Sequence, residues 1–585
     1  MSKKNDQPVV KSMPALLIFA AIGALFGSGA VIGITILSNP TMMGLLLGTQ
    51  IPQYLICFIV LFFLIFGYGS IYAPLAYLTL PLACLACGVR TAFASAPYVN
   101  SLAIVLIFLP LVAASVIACM WAWKKYPVPT AKPRSYLPSL LAILGMCTAA
   151  FVSLALFITV FYGRLDSLQT DETTAEWGQI LYYLQNSAQP FTTLHSGEPQ
   201  SYFAIQFAPL WYLLVPVYAL FSRSLLATGI ALYALMLTGL IPLYRICQKL
   251  ALSPLPSAAL CMACAACPLL IGGGSTGGVL SMLSLPLLLW VADALMGKRP
   301  YLALIPLILC MGIGFEVTLW LTFFCLYLAL SSKPENKRAA WSCFAASAVG
   351  LIATVAYLAI VQSPVFANLF SGIGIQLGQK LLFLMLLLLP CVLLPFFAKQ
   401  KAALVLLFPL VLFHLVADAS AYSGIFCTYA YPTIAAAFVL SAQGAANLQT
   451  EIKGISLQRL LPTLALCASI LLATPYAASL VHLYASVDEQ EQADTDQMHA
   501  LLEKLPLNAS VSASDSLLCA LHDRTWLYSL NKNPEHPATN VVVLDLREDF
   551  ISTDMEQYDV SYYQALGYTL RQDMSKEGIL AVLYK

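Results

Sequence analysis

Residues Pro138–Leu184 read "PSLLAILGMCTAAFVSLALFITVFYGRLDSLQTDETTAEWGQILYYL". The first part is an almost unbroken apolar run, close to the ~20 residues that cross a bilayer as a helix. Four carboxylates then follow in quick succession, Asp166, Asp171, Glu172 and Glu176, in a chain of which only 10% is charged. Beyond them Trp177, Ile180, Leu181 and Leu184 fall at i, i+3, i+4 and i+7, the apolar face of one helix. Such a helix lying on the membrane surface would turn Glu176, Gln179 and Tyr183 toward water. Part of this acidity has a local explanation: Thr173 and Glu176 have capping-box spacing, and Asp171 and Glu172 complement the positive end of a helix dipole.

The rest of the chain repeats the apolar theme. It has 585 residues, 60% of them hydrophobic, with a mean hydropathy of +0.81. Soluble proteins carry about a quarter charged residues, so the composition specifies a polytopic membrane protein and excludes a nucleic-acid-binding surface. Most of the 16 cysteines lie within apolar runs, where they act as small buried hydrophobes. The "CMACAAC" stretch, Cys261–Cys267, is read as packing and no metal site is assigned. The net charge of +1 conceals a division: residues 1–478 hold 22 basic and 11 acidic residues, and residues 479–585 hold 7 and 17. Three parts are therefore expected: a transmembrane extension at 1–135, a transmembrane body at 136–478 with an outer acidic loop at 163–205, and a soluble acidic tail at 479–585.

Basic clusters mark cytoplasmic loops. Assigning Lys3/Lys4/Lys11, Lys124/Lys125, Arg245/Lys249, Lys298/Arg299, Lys333/Lys337/Arg338, Lys399/Lys401 and Lys453/Arg459 to the inside yields about 13–15 crossings, a cytoplasmic N-terminus and an extracytoplasmic tail. Arg90 and Arg164 fall on the outside in this scheme. Parity requires that one of the runs 206–222 and 225–244 does not cross. "QFAPLWYLLVPVYALF", rich in Trp, Tyr and Pro, is the one expected to stay shallow. Residues 255–296 read as a hairpin tipped by "GGGSTGG". Two passes between Arg299 and Lys333 would each have about 15 residues, or about 22 Å at ~1.5 Å per residue. That falls short of a ~30 Å hydrocarbon core, so "MGIGFE" should lie in a depression with Glu316 at its floor. Further spans are expected near 339–362, 381–398, 402–420, 424–445 and 460–478. In the tail, "ASVSAS" and "NVVVLDL" read as strands, "DSLLCALHD" as a short helix, and "GYTLRQD" with "GILAVLYK" as a closing hairpin. The fold class is all-α polytopic with a small α/β extracytoplasmic domain.

Ionisable groups at membrane depth are costly unless paired or working. The candidates on the outer side are the acidic loop, Glu316, Lys380 and Asp418. Lys380 is suited to a lipid phosphate or to interfacial anchoring. His414 and Asp418, four apart, are read as a local hydrogen-bonded pair. Asp293, just before Lys298, is read as structural, and His195 as a solvated loop residue.

Several stretches in order resemble a bacterial polytopic membrane family of unknown function grouped with the GT-C glycosyltransferases. They are "WGQILYYLQNSAQPF", "FAIQFAPLWYLLVPVYALF", "IPLYRICQKL", "GFEVTLWLTFFCLYLAL", "YSGIFCTYAYPTIAAAFVLSA" and the tail's "LEKLPLNASVSASDSLLCALHDRTWLY". The likeness spans roughly 138–550. It implies a GT-C-like fold in the bacterial cytoplasmic membrane and a sugar taken from a polyprenyl-phosphate carrier on the extracytoplasmic face. A loop carboxylate would serve as base, which makes Asp171, Glu172 and Glu176 the catalytic candidates. Gln179, Gln206, Glu316, Lys380 and Asp418 become the substrate-binding ones. The family's loop reads close to "DLGIFDQ..W" where this chain has "TTAEWGQILY"; Gln179 matches and both acidic positions differ. Its His-Phe-x-Pro stands here as Gln206-Phe207-Ala208-Pro209. No cofactor is specified, although a carboxylate loop is compatible with a divalent metal. The partners implied are a lipid-linked sugar and membrane lipid, with the acceptor unspecified. The competing readings are a transporter or flippase of lipid or small solutes, and a noncatalytic assembly factor.

Overall fold

The computed structural model describes residues 137–585 except 171, 196–198, 276, 278, 365–376, 399, 418–426, 449–450, 453–454, 486–488, 533–538 and 548–558. The expected extension at 1–135 lies outside the described residues.

Helix α1 (Leu137–Asp166) is the apolar run of the opening stretch. It turns Leu140, Phe151 and Val152 outward, with Phe151 71% exposed. Its opposite side enters the core, where Phe157 stacks on Tyr233 with ring centroids 4.3 Å apart. Such uncovered apolar surface is unstable in water and stable against lipid tails. Among the described residues four helical stretches are long and apolar enough to cross a membrane: Ser139–Asp166, Leu225–Lys249, Pro254–Ser275 and Lys337–Ile360. Shorter apolar helices accompany them. At the centre lies α2 (Pro254–Ala265), almost wholly buried. Its Ser257, Ala258, Ala259, Ala263 and Ala265 are small enough to admit neighbouring backbones. It packs on α1 and on α3 (Leu457–Ala485). Cys261, Cys264 and Cys267 are buried here as free thiols.

The segments expected to fall short of a full crossing are short apolar helices. Pro209–Leu220 is a broken helix that ends at Ser222 and Arg223, both with positive φ. Leu210 N–H donates to the Gly312 carbonyl, Tyr212 to the Ala188 carbonyl, and Arg223 lies over the Tyr182 ring. The segment therefore returns to the end of the bundle that it left. Leu304–Met311 and Phe315–Ser331 form the short hairpin, joined by Gly312-Ile313-Gly314. Arg164, the exception to the charge scheme, is held by the carbonyls of Gln169 and Ser275. It closes the end of the Pro268–Ser275 helix rather than marking a loop as cytoplasmic.

Two expected spans differ. Residues 381–398 contain helix Leu377–Leu388, then a turn at Val392 and Leu393 with φ of 47° and 53°. Residues 402–420 contain a 3-10 turn, one short α-turn and a π-turn over Leu412–Val416. Pro390, Pro395 and Pro409 remove amide donors inside otherwise helical runs. His414 bonds Thr433 Oγ1 at 2.7 Å and stacks on Phe383; its expected partner Asp418 lies outside the described residues.

The tail carries a five-stranded mixed sheet. Strand β1 (Val511–Ala513) runs parallel to β2 (Leu527–Ser529) and to β3 (Val541–Asp545). β5 (Leu580–Tyr584) pairs antiparallel with β3 and with β4 (Thr569–Leu570), giving the order β2-β1-β3-β5-β4. The expected strands, the short helix (Asp515–Leu521) and the closing hairpin are all present.

Helix Tyr431–Asn447 packs tightly against the 3-10 turn Leu394–Ala398, with Asn447 donating to the Ala398 carbonyl. A Cβ at Gly444 would run into the Leu394 carbonyl. Gly444→Ala should therefore destabilise the protein by about 1–3 kcal/mol through overpacking, read as a lowered thermal midpoint in detergent.

Candidate functional site

The acidic stretch folds as α-helix Glu172–Ser187. Trp177, Ile180, Leu181 and Leu184 are buried along the expected face. The opposite face, expected to meet water, meets the tail. Gln179 is fully buried, its Oε1 accepting from Thr192 Oγ1 and Thr193 N–H and its amide donating to Thr193 Oγ1 at 2.9 Å. Tyr183 donates to the Thr525 carbonyl. A Cβ at Gly178 would strike Leu225 and His522, so only glycine permits this approach. The tail also grips the end of the opening helix: Arg547 donates to the carbonyls of Ser167 and Leu168, and Gln492 to Asp166 Oδ2.

Beneath this contact lies a cavity of about 80 Å³ lined by Glu176, Tyr202, Gln206, Trp211, Ser281 and Tyr429 among others. Its polar wall is a chain of hydrogen bonds. Tyr202 donates to Gln206 Oε1, and Gln206 Nε2 donates to Glu316 Oε2, each at 2.9 Å. Glu316, 3% exposed, stands in the first turn of helix Phe315–Ser331, where the helix dipole favours a negative charge. Gly314 makes room for the Gln206 amide. Glu316 stands behind Gln206, one hydrogen bond away from the cavity lining rather than within it.

Glu176 faces the same space. Its side chain is 17% exposed, and His195 Nδ1 lies 3.6 Å away. Oε1 has no hydrogen-bond partner. Burial lifts this carboxyl from 4.5 to about 7; Glu172 adds to the rise and Lys532 opposes it. The Tyr202 hydroxyl is pushed well above its usual range by burial and by the charges of Glu176 and Glu316. Burial and Lys532 lower the pKa of His195. A carboxylic acid that titrates near neutrality is equipped to accept and return a proton.

The structure thus brings Glu176, Gln206 and Glu316 together. Glu172 is turned aside into an ion pair with Lys532 of the tail, 2.6 Å long, and Gln179 is committed to the Thr192–Thr193 turn. Lys380 is 3% exposed on helix Leu377–Leu388, which packs on Pro268–Ser275 and on the His414 turn. Asp171 and Asp418 lie outside the described residues. Sequence reasoning missed Tyr202, Tyr429 and Lys532, and read His195 as solvated although it is two-thirds buried beside Glu176. The aromatic run "CTYAYP" was a usable signal for Tyr429; nothing local points to Lys532, which arrives from a distant part of the chain. Among the described residues no three His, Cys, Asp or Glu side chains converge as a metal site.

Residues 356–579 match a family described as "Predicted membrane protein (DUF2079)". This segment overlaps the second half of the stretch on which the sequence resemblance rests. No curated protein matches the chain. Among solved structures, ArnT from Cupriavidus metallidurans bound to undecaprenyl phosphate is 13% identical, covering 74% of this chain and 97% of ArnT with a TM-score of 0.44. The same protein in the apo state is 12% identical, covering 75% and 97%, also at 0.44. The chain is an integral, multi-pass membrane protein.

The raised Glu176 carboxyl predicts a specific pH dependence of stability. Its contribution is fully present below pH 4.5 and is lost as pH rises through about 7. Glu176→Gln should remove that component, so its thermal midpoint should fall less than that of the wild type between pH 4.5 and 7.5. Parallel melting profiles of the two proteins would show that the carboxyl is not perturbed.

Proposed function

We propose that the protein is a glycosyltransferase of the GT-C type. It would move a sugar from a polyprenyl-phosphate carrier to an acceptor hydroxyl at the end of the bundle that carries the acidic loop, on the extracytoplasmic side. The observation that supports this most is Glu176, a carboxyl lifted to about 7 that opens onto a cavity with Tyr202 and Gln206, the latter bonded to Glu316. In this reading Glu176 takes the proton of the acceptor hydroxyl as the acceptor oxygen bonds to C1 of the sugar. The bond from C1 to the phosphate oxygen breaks with its electron pair, and polyprenyl phosphate departs. Glu316 and Gln206 orient the acceptor through the hydrogen-bonded chain from Tyr202. Lys380 is assigned to the leaving phosphate, whose charge a buried cation would stabilise.

The cavity is small. Some 80 Å³ holds two or three waters at ~30 Å³ each, whereas small-molecule sites run to about 300 Å³ or more. Sugar binding in this scheme requires the tail to lift from the acidic loop, with release of the Lys532–Glu172 pair. The same closed geometry favours a second reading, a noncatalytic assembly factor whose tail serves as a partner-binding surface.

Membranes containing the protein, supplied with a panel of radiolabelled polyprenyl-phosphate sugars, should release label from the lipid with one of them. Glu176→Gln should slow that release about 100-fold or more. The wild-type rate should rise with pH around 7 as the carboxyl ionises. Undiminished transfer by Glu176→Gln would overturn the assignment of the base, and failure of every donor would favour the assembly reading. Lys532→Ala should increase transfer at limiting donor if lifting of the tail controls entry; unchanged or lower transfer would remove that gate.

A further inference from the structure

The opposite end of the bundle holds a separate feature that the proposed reaction does not use. Arg245 and Lys249 close helix Leu240–Lys249, Asp293 lies near the end of helix Ser284–Leu295, and Lys298 and Arg299 follow at once in the connection to the short hairpin. Asn336 fastens this connection by donating to the carbonyls of Leu295 and Gly297, so the basic groups are held around a fixed turn. They surround a pocket of about 770 Å³, nearly ten times the cavity at the acidic end.

The charges in this pocket do not balance. Asp293, 3% exposed, pairs with Lys249 at 2.7 Å and with Arg245 at 3.2 Å. Lys298 and Arg299 are exposed and pair with no carboxylate among the described residues. Four cations against one anion leave a concave site with a surplus of positive charge. The Arg245 guanidinium also lies over the Trp290 ring, 5.3 Å from its centroid, which holds the fork at the pocket wall. The remaining wall is apolar: Leu302, Ile305 and Leu309 stand along the first helical pass of the hairpin, with Leu302 and Ile305 more than half exposed. The basic groups offer donors to a phosphate-sized anion, and the apolar wall offers surface to a hydrocarbon chain.

We infer that this pocket is a binding site for an anionic phospholipid, its phosphate held by Arg245, Lys298 and Arg299 and one acyl chain lying along Leu302 and Ile305. Excess positive charge marks the cytoplasmic end of a membrane protein, so the lipid comes from the inner leaflet, whose anionic headgroups attract such clusters. The shared chemistry, a phosphate on a basic rim, could also be met by free phosphate; the apolar wall is what selects the lipid.

The full chain is placed in phosphatidylcholine nanodiscs with increasing fractions of brominated phosphatidylglycerol or brominated phosphatidylcholine. Quenching of Trp290 is taken as the difference between the wild type and Trp290→Phe. Brominated phosphatidylglycerol should quench at a mole fraction about tenfold lower than brominated phosphatidylcholine. The double substitution Lys298→Gln/Arg299→Gln, at two exposed positions, should abolish that preference and leave the thermal midpoint unchanged. Equal quenching by the two lipids, or a preference that survives the double substitution, would overturn the inference. Loss of the preference on adding millimolar inorganic phosphate at constant ionic strength would assign the rim to free phosphate and overturn the lipid site. Persistence of the preference in phosphate would support it.

Discussion

Two carboxyl groups, Glu176 and Glu316, are buried at the edge of an apolar bundle, and the local architecture answers the cost of keeping them there. An unpaired buried charge is expensive, so each is treated differently. Glu316 is given a helix N-terminus and the amide of Gln206. Glu176 is given only the edge of His195 and the field of Lys532, and its affinity for a proton rises. Glu176 is thereby suited to titrate near neutrality, which is what a general base requires.

The tail is a structural component of this site. It supplies Lys532 to Glu172, covers the polar face of helix Glu172–Ser187, and caps the end of the opening helix through Arg547 and Gln492. Without it Gln179 would lose the Arg524 carbonyl and Tyr183 its Thr525 acceptor. The excess acidity of the tail does not repel the acidic loop, because the contacts include Lys532, Arg547, the Gln492 amide and backbone carbonyls. Net charge sets solubility and long-range fields; which groups touch is a local matter.

The bundle is electrically polarised. Carboxylates, phenols and the tail gather at one end, and Arg245, Lys249, Lys298 and Arg299 at the other. The two short passes of the hairpin join these ends directly, since Arg299 begins the first pass and Glu316 the second.

Much of this was legible in the sequence. The apolar run before Asp166 and the shortness of 300–331 were enough to indicate the membrane bundle and its short helical hairpin, because bilayer thickness acts on linear sequence. The tail's strands were readable from local alternation. The sequence could not show that residues 381–420 break at Pro390, Pro395 and Pro409, since membrane helices often absorb a proline and only their neighbours decide. Nor could it separate Glu172 from Glu176: both follow the same turn, and a lysine some 350 residues away takes one and leaves the other facing the cavity. Membership of an element is a local property of the chain. The protonation and direction of a side chain depend on what is packed over it, and that was decided by the tertiary structure.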